Sequence, residues 1–207
     1  PLISLLTNGQ FKIDFVNRYA DLLNSNFLSK QLVNSINKTN TSYIPEIQQH
    51  VERWRYPSSA TTLLARSTEV PSTTKWNTII SDLLNFASQR AVKTRKQFMT
   101  YFALNDTVKV TLNVNDTVMG KVKINSLCID KNLIRINSLV YPWTGVYFNG
   151  NPITVEAIPY PGYKFSHWNL VTDTINHIVK NVTSDTLITA FFILFTSFKA
   201  NQYLYIN

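Results

Sequence analysis

Apolar residues recur every three or four positions up to about residue 104 and every second position after it, so the chain changes hydrophobic period part-way along. In Gln10–Asn24, Phe11, Phe15, Val16, Tyr19, Leu22 and Leu23 form one apolar stripe, which predicts an amphipathic helix. Asn8-Gly9 before it marks a break from a shorter helical piece. Ser29–Asn37 repeats the pattern through Leu32, Val33 and Ile36, with Ser29 placed to cap it. Tyr43–Trp54 predicts a further helix, with Pro45 in its first turn and Ile47, Val51 and Trp54 on one face. Residues 56–74, rich in Ser and Thr and holding Pro57 and Pro71, predict a loop onto which Leu63 and Leu64 could fold. Trp76, Ile79, Ile80, Leu83, Phe86, Ala87, Val92, Phe98 and Tyr101 then predict a helix over Lys75–Phe102, capped by Thr74. At 1.5 Å per residue it would be about 40 Å long.

From residue 105 alternation takes over. Val108, Val110, Leu112 and Val114 predict a half-buried strand, with Val122 and Ile124 beyond Gly120 returning beside it as a hairpin. Ile134, Ile136 and Leu139 suggest another strand. Asn149-Gly150 is a turn signal before Ile153, Val155 and Ala157. A turn at Pro159, Pro161 and Gly162 leads to Phe165, Trp168 and Leu170, then Ile175, Ile178 and Val179, then 187–194. The chain as a whole predicts an α+β fold. A helical subdomain occupies 1–104 and a small all-β domain of about seven strands occupies 105–195. Residues 196–207 form a closing strand or a linker to a further domain.

Composition narrows what this architecture can do. The 207 residues are 44% hydrophobic and 13% aromatic with 15% charged, which excludes a disordered chain. No apolar run is long enough for a membrane helix. Pro1, with no basic-then-apolar leader after it, suggests a piece of a longer or processed chain. One cysteine, Cys128, excludes an internal disulfide and a cysteine-rich metal site. The net charge is +8, and residues 1–103 carry twelve Lys/Arg against six Asp/Glu. The densest cluster, Arg90, Lys93, Arg95 and Lys96, falls near the end of a predicted helix, where cations suit the dipole and a solvated face. No nucleic-acid partner is expected.

Few residues are arranged for catalysis. Gly9, Gly120, Gly145, Gly150 and Gly162 stand apart, so no glycine-rich phosphate loop is formed. Glu46, His50 and Arg53 share a helix face, but a metal site needs three or more converging ligands, and a structural role is expected for His50. Arg18 and Asp21, one turn apart, suit an ion pair that fixes the helices. Trp54 and Trp76 read as core anchors. Tyr141, Trp143, Tyr147 and Phe148 lie in or beside a turn, where they either pack or contact a glycan or protein partner. Asp-Thr pairs at Asp106, Asp116, Asp173 and Asp185 resemble the O-glycosylation acceptor of Bacteroidetes, with Thr107, Thr117, Thr174 and Thr186 as acceptors; such pairs also favour turns.

Two segments resemble known families. Phe15, Arg18, Asp21, Leu22, Leu23, Asn24 and Phe27, then Ile44, Glu46, His50, Arg53 and Trp54, then Trp76, Phe86, Arg90 and Phe102, form three ordered blocks. They resemble the C-terminal helical portion of the CotH kinase family, atypical secreted or surface-associated kinases related to spore-coat proteins. Gly150, Val155, Ala157, Pro159, Gly162, Tyr163, Phe165 and Trp168 resemble a bacterial repeat module related to internalin-type B-repeats, over Val108–Ile193. The two resemblances imply the non-catalytic end of a surface-associated kinase joined to a β spacer or interaction module. They place it outside a bacterial cell, with the rest of the parent chain and a cell-surface protein or glycan as partners. Arg18, Asp21, His50, Arg53, Trp54, Trp76 and Arg90 would then stabilise the kinase lobe. ATP and Mg would bind only in the complete parent domain, and this chain would hold no cofactor or metal. The alternative is an adhesion or carbohydrate-binding module.

Overall fold

The computed structural model describes residues 2–54, 70, 72–130, 140–170 and 174–195. The strand expected over 134–139, most of the 56–74 loop with Leu63 and Leu64, and the closing 196–207 segment lie outside the described residues. The fold is α+β, a helical N-terminal region followed, among the described residues, by eight strands in two sheets. The chain divides into two compact units, one formed by 1–21 together with 104–207 and the other by 22–103. The period change near residue 104 therefore coincides with a boundary, but the first 21 residues group with the strands.

The first unit begins with a single turn, α1 (Leu2–Leu5), and then α2 (Gly9–Leu23), whose last turn crosses into the second unit. The Asn8 side chain accepts from the Phe11 amide at 2.9 Å and so caps α2. Eight strands follow: β1 (Thr107–Val114), β2 (Gly120–Ile124), β3 (Leu127–Ile129), β4 (Trp143–Phe148), β5 (Pro152–Pro159), β6 (Tyr163–Trp168), β7 (His177–Asn181) and β8 (Thr186–Leu194). One sheet has the order β4-β1-β8-β6 and the other β3-β2-β5-β7. Each buries one row of side chains. Val110, Leu112, Ile188, Ala190 and Phe192 in the first sheet, and Val122, Ile124, Ile153, Val155 and Ala157 in the second, are at most 1% exposed. Burial of such rows is the main driving force for the sandwich. Gly120 lets the rows meet, since a Cβ there would stand 2.7 Å from the Phe192 ring.

The expected β1–β2 hairpin does not form. β1 pairs antiparallel with β4 and parallel with β8, whereas β2 pairs with β3 and β5. The link over 115–119 carries the chain from one sheet to the other. Asn115 makes this change of sheet by bonding the Phe192 backbone, accepting from its amide at 2.8 Å and donating to its carbonyl at 3.0 Å. The parallel β1–β8 pair is tied at one end by Asp185, whose carboxylate accepts from the Lys109 amide at 2.8 Å. Turns at Gly150 (φ 77°) and Gly162 (φ 87°) use backbone conformations that glycine adopts without strain.

The second unit is built on two long helices, α3 (Ser29–Trp54) and α4 (Thr73–Phe102). The two helices expected over 29–37 and 43–54 are one. Pro45 stands in its interior on an exposed stretch, where solvent can bond the carbonyl that Pro45 leaves without an amide. Ser72, not Thr74, caps α4: its hydroxyl accepts from the Lys75 amide at 3.1 Å and its backbone is extended. Between the helices, Trp76 donates its indole N–H to Asn40 at 2.9 Å and meets Tyr43 edge-on at 6.3 Å. Ile47, Val51, Ala87 and Ala91 are buried.

Candidate functional site

The helical stripe of α2 carries polar residues on one flank, and these meet the β2–β3 and β4–β5 turns of the same unit. Asp21 is completely buried. Its carboxylate accepts from the Ser126 amide at 2.9 Å, the Ser126 hydroxyl at 2.5 Å, the Tyr147 hydroxyl at 2.9 Å and the Asn125 amide group at 3.4 Å. Burial pushes its carboxyl above the usual carboxylate range, against the opposing pull of the hydrogen bonds from Ser126, Tyr147 and Asn125. Asn125 reaches this position with a positive φ of 46° and also accepts from the Thr154 amide at 2.9 Å. One turn earlier on α2, Asn17 donates to the Pro152 carbonyl at 2.7 Å and accepts from Asn151 at 2.8 Å. These bonds join α2 to both sheets through side chains more than a hundred residues away.

Beside this network lies a cleft of about 570 Å³ between α2 and the outer side of β5 and β7. Gln10, Asp14 and Arg18 line its α2 wall, with Ser126, Thr154 and Val179 opposite. Arg18 donates to the Ser126 hydroxyl at 2.6 Å, and that hydroxyl donates onward to Asp21. The guanidinium is thus held by a hydroxyl that is itself fixed by a buried carboxylate. Among the described residues Arg18 enters no ion pair, so the expected Arg18–Asp21 pair is replaced by this relay through Ser126.

Of the aromatic residues expected in or beside a turn, Trp143, Tyr147 and Phe148 are buried on β4, and Tyr141 precedes that strand. Trp143 is 8%, Phe148 2% and Tyr147 0% exposed. The Trp143 ring lies over Gly145, where any larger residue would collide with it. Half-buried Tyr141 accepts from the Val122 amide at 2.8 Å and donates to the Ile129 carbonyl at 2.7 Å, joining β2 to β3 through its hydroxyl. Burial raises its phenol well above the ordinary value, against the hydrogen bond from Val122. Trp143, Tyr147 and Phe148 are thus too enclosed to stack on a glycan, while Tyr141 is half-buried. Pro142 and Gly145 imitated a turn, while the partners that bury the rings stand far off in sequence.

In the second unit His50 and Arg53 are exposed on α3, and the Trp54 side chain lies outside the described residues. Trp76 is half-buried between α3 and α4, and exposed Arg90 lies over the Phe86 ring at 5.4 Å. Three Asp-Thr carboxylates have structural work: Asp106 accepts from the Thr107 amide, Asp116 from Val118 and Asp185 from Lys109. Asp173 lies outside the described residues. Among the described residues no group of His, Cys, Asp and Glu is placed to hold a metal ion, and no helix is long and apolar enough to cross a membrane.

Residues 139–194 match the family model described as the divergent InlB B-repeat domain. The β half thus contains a B-repeat-like segment, covering β4 to β8. No curated protein and no solved structure matches the chain. The matched segment does not reach the helical blocks, and none of these comparisons supports their expected resemblance to spore-coat kinases. It also omits β1, the strand between β4 and β8 in their sheet, so the compact unit extends beyond the match.

Proposed function

We propose that this chain is part of a surface-associated bacterial protein in which the β unit serves as an interaction or spacing module. The observation that carries this reading is the B-repeat match over β4–β8, five of the eight strands of the sandwich. The way α2 is bonded into the same unit supports it, because a module that transmits load or presents a surface needs its flanking chain anchored. Antibody raised against residues 104–195 should label intact cells of the source organism. Labelling that appears only after lysis would refute the reading.

The helical blocks support a finer reading, in which α2–α4 close the lobe of a CotH-like kinase whose ATP- and Mg-binding residues lie in a longer parent chain. On that reading the 207 residues alone bind no nucleotide. Calorimetric titration with ATP and Mg should give no binding heat, and saturable binding would displace the proposal. A carbohydrate-binding role is less supported, because Trp143, Tyr147 and Phe148, three of the four aromatic residues that motivated it, are buried.

A further inference from the structure

We propose that the cleft between α2 and the outer side of β5 and β7 binds an extended peptide segment carrying an acidic and a basic residue two positions apart. The inference rests on the interaction-module reading and names the site and ligand class for it.

The argument starts from Arg18. A guanidinium that faces a cleft without a carboxylate partner is a ready anion receptor, since its planar fork matches a carboxylate. Its bond to the Ser126 hydroxyl, backed by buried Asp21, fixes one edge and leaves further N–H groups for a ligand. Prior positioning of this kind reduces the ordering cost of binding.

Asp14 sets the second requirement. It lies one helical turn before Arg18 on the same wall and accepts from Gln10 at 2.9 Å, leaving its other oxygen for a donor. Side chains four apart on a helix are separated by about 5–6 Å at Cβ. Alternate residues of an extended chain point the same way at roughly 6.5 Å spacing. A Glu-x-Lys segment in extended form therefore presents its two charges at nearly the spacing of Arg18 and Asp14. The rest of the lining suits the segment's backbone and an aliphatic side chain: Ile13 and Val179, the latter 66% exposed, provide apolar contact, and Thr154 provides a hydroxyl. The volume suits a ligand of a few residues. Among the described residues no aromatic ring lines the cleft, which disfavours a sugar, since sugars stack on such rings.

The test is an amide and side-chain NMR titration of the full chain with acetyl-Gly-Glu-Val-Lys-Gly-amide. Resonances of Arg18, Ser126, Thr154 and Val179 should shift together and saturate. Arg18→Gln, an exposed substitution that leaves the Asp21 bonds in place, should weaken binding about tenfold or more while preserving the rest of the spectrum. Arg18→Lys, which keeps the charge and loses the fork, should give an intermediate loss. A peptide with Gln in place of Glu should bind the unaltered chain as weakly as the parent peptide binds Arg18→Gln. Equal affinity of Arg18→Gln and the unaltered chain, shifts confined to other surfaces, or no shift at millimolar peptide would each overturn the site. Surface labelling of intact cells is independent of these outcomes, so failure here leaves the interaction-module reading to stand or fall by its own test.

Discussion

The two units use the same kinds of residue to opposite effect. In the sandwich, large apolar side chains such as Trp168, Tyr147, Phe192 and Leu112 are at most 1% exposed. In the helical unit the deeply buried apolar residues of α4 are chiefly Ala87 and Ala91, while Phe86, Val92 and Tyr101 are 57%, 57% and 68% exposed. Hydrophobic periodicity states which face of an element is apolar; whether that face is covered depends on how many layers the unit supplies. Two sheets cover each other's inner faces. A pair of helices has one mutual seam, and much of each apolar stripe lies off it.

The sharpest test of this contrast is truncation in each unit. Trp168→Ala should cost roughly 3–5 kcal/mol, because it opens a cavity in the sandwich and deletes the indole bond to the Ile175 carbonyl. Urea unfolding followed by the fluorescence of the remaining tryptophans would measure it. A loss below about 1 kcal/mol would mean that the sandwich is packed no better than the helices.

A smaller loss is expected where a hydroxyl takes the place of a backbone partner. Tyr141→Phe keeps the ring but leaves the Val122 amide and Ile129 carbonyl without it, at a cost of about 1–3 kcal/mol. Thermal unfolding of the variant against the parent chain reads this directly. Unchanged stability would show that solvent replaces the hydroxyl.

How much of this was legible beforehand depended on sequence distance. The α+β division, α2, α4 and most strand positions followed from local periodicity and turn residues. The partner of β1 did not: alternation in Val108–Val114 identifies a buried face but not a neighbour, and β8 lies more than seventy residues on. Asp21 was paired with Arg18 because helical spacing is local, whereas its hydrogen-bond partners Asn125, Ser126 and Tyr147 come from turns and a strand over a hundred residues later. The turn expected around Tyr141–Phe148 is instead the strand β4 over Trp143–Phe148, for a related reason. Its Pro and Gly are local turn signals, but Gly145 is small to admit the Trp143 ring. An Asp beside the apolar stripe of a helix, as at Asp21, was the signal in the sequence that could have marked the network.

The Asp21 network also permits a test by pH. Its carboxyl is raised above its unfolded value, so the native chain holds the proton more tightly than the unfolded chain. Stability from this group therefore increases as pH falls toward and through the raised native value, and is lost as pH rises above it. The unaltered chain should gain on Asp21→Asn, in unfolding midpoint, as pH is lowered from neutrality toward the carboxylate range. A gap between the two that stays constant with pH would show that Asp21 does not titrate in this way.

The smallest effect belongs to the exposed helix surface, and it makes the comparison quantitative. Phe86 is an aromatic residue like Trp168, yet it is 57% exposed and the Arg90 guanidinium lies over its ring at 5.4 Å. Truncation to Ala opens no cavity there and removes a solvent-screened cation–π contact of about 0.5–1 kcal/mol. Alanine's better helix propensity offsets part of that loss. Phe86→Ala should therefore change the unfolding free energy by less than about 1 kcal/mol, several-fold below Trp168→Ala. A loss as large as that of Trp168→Ala would mean that the exposed stripe of α4 is covered in solution, and the contrast between the units would disappear.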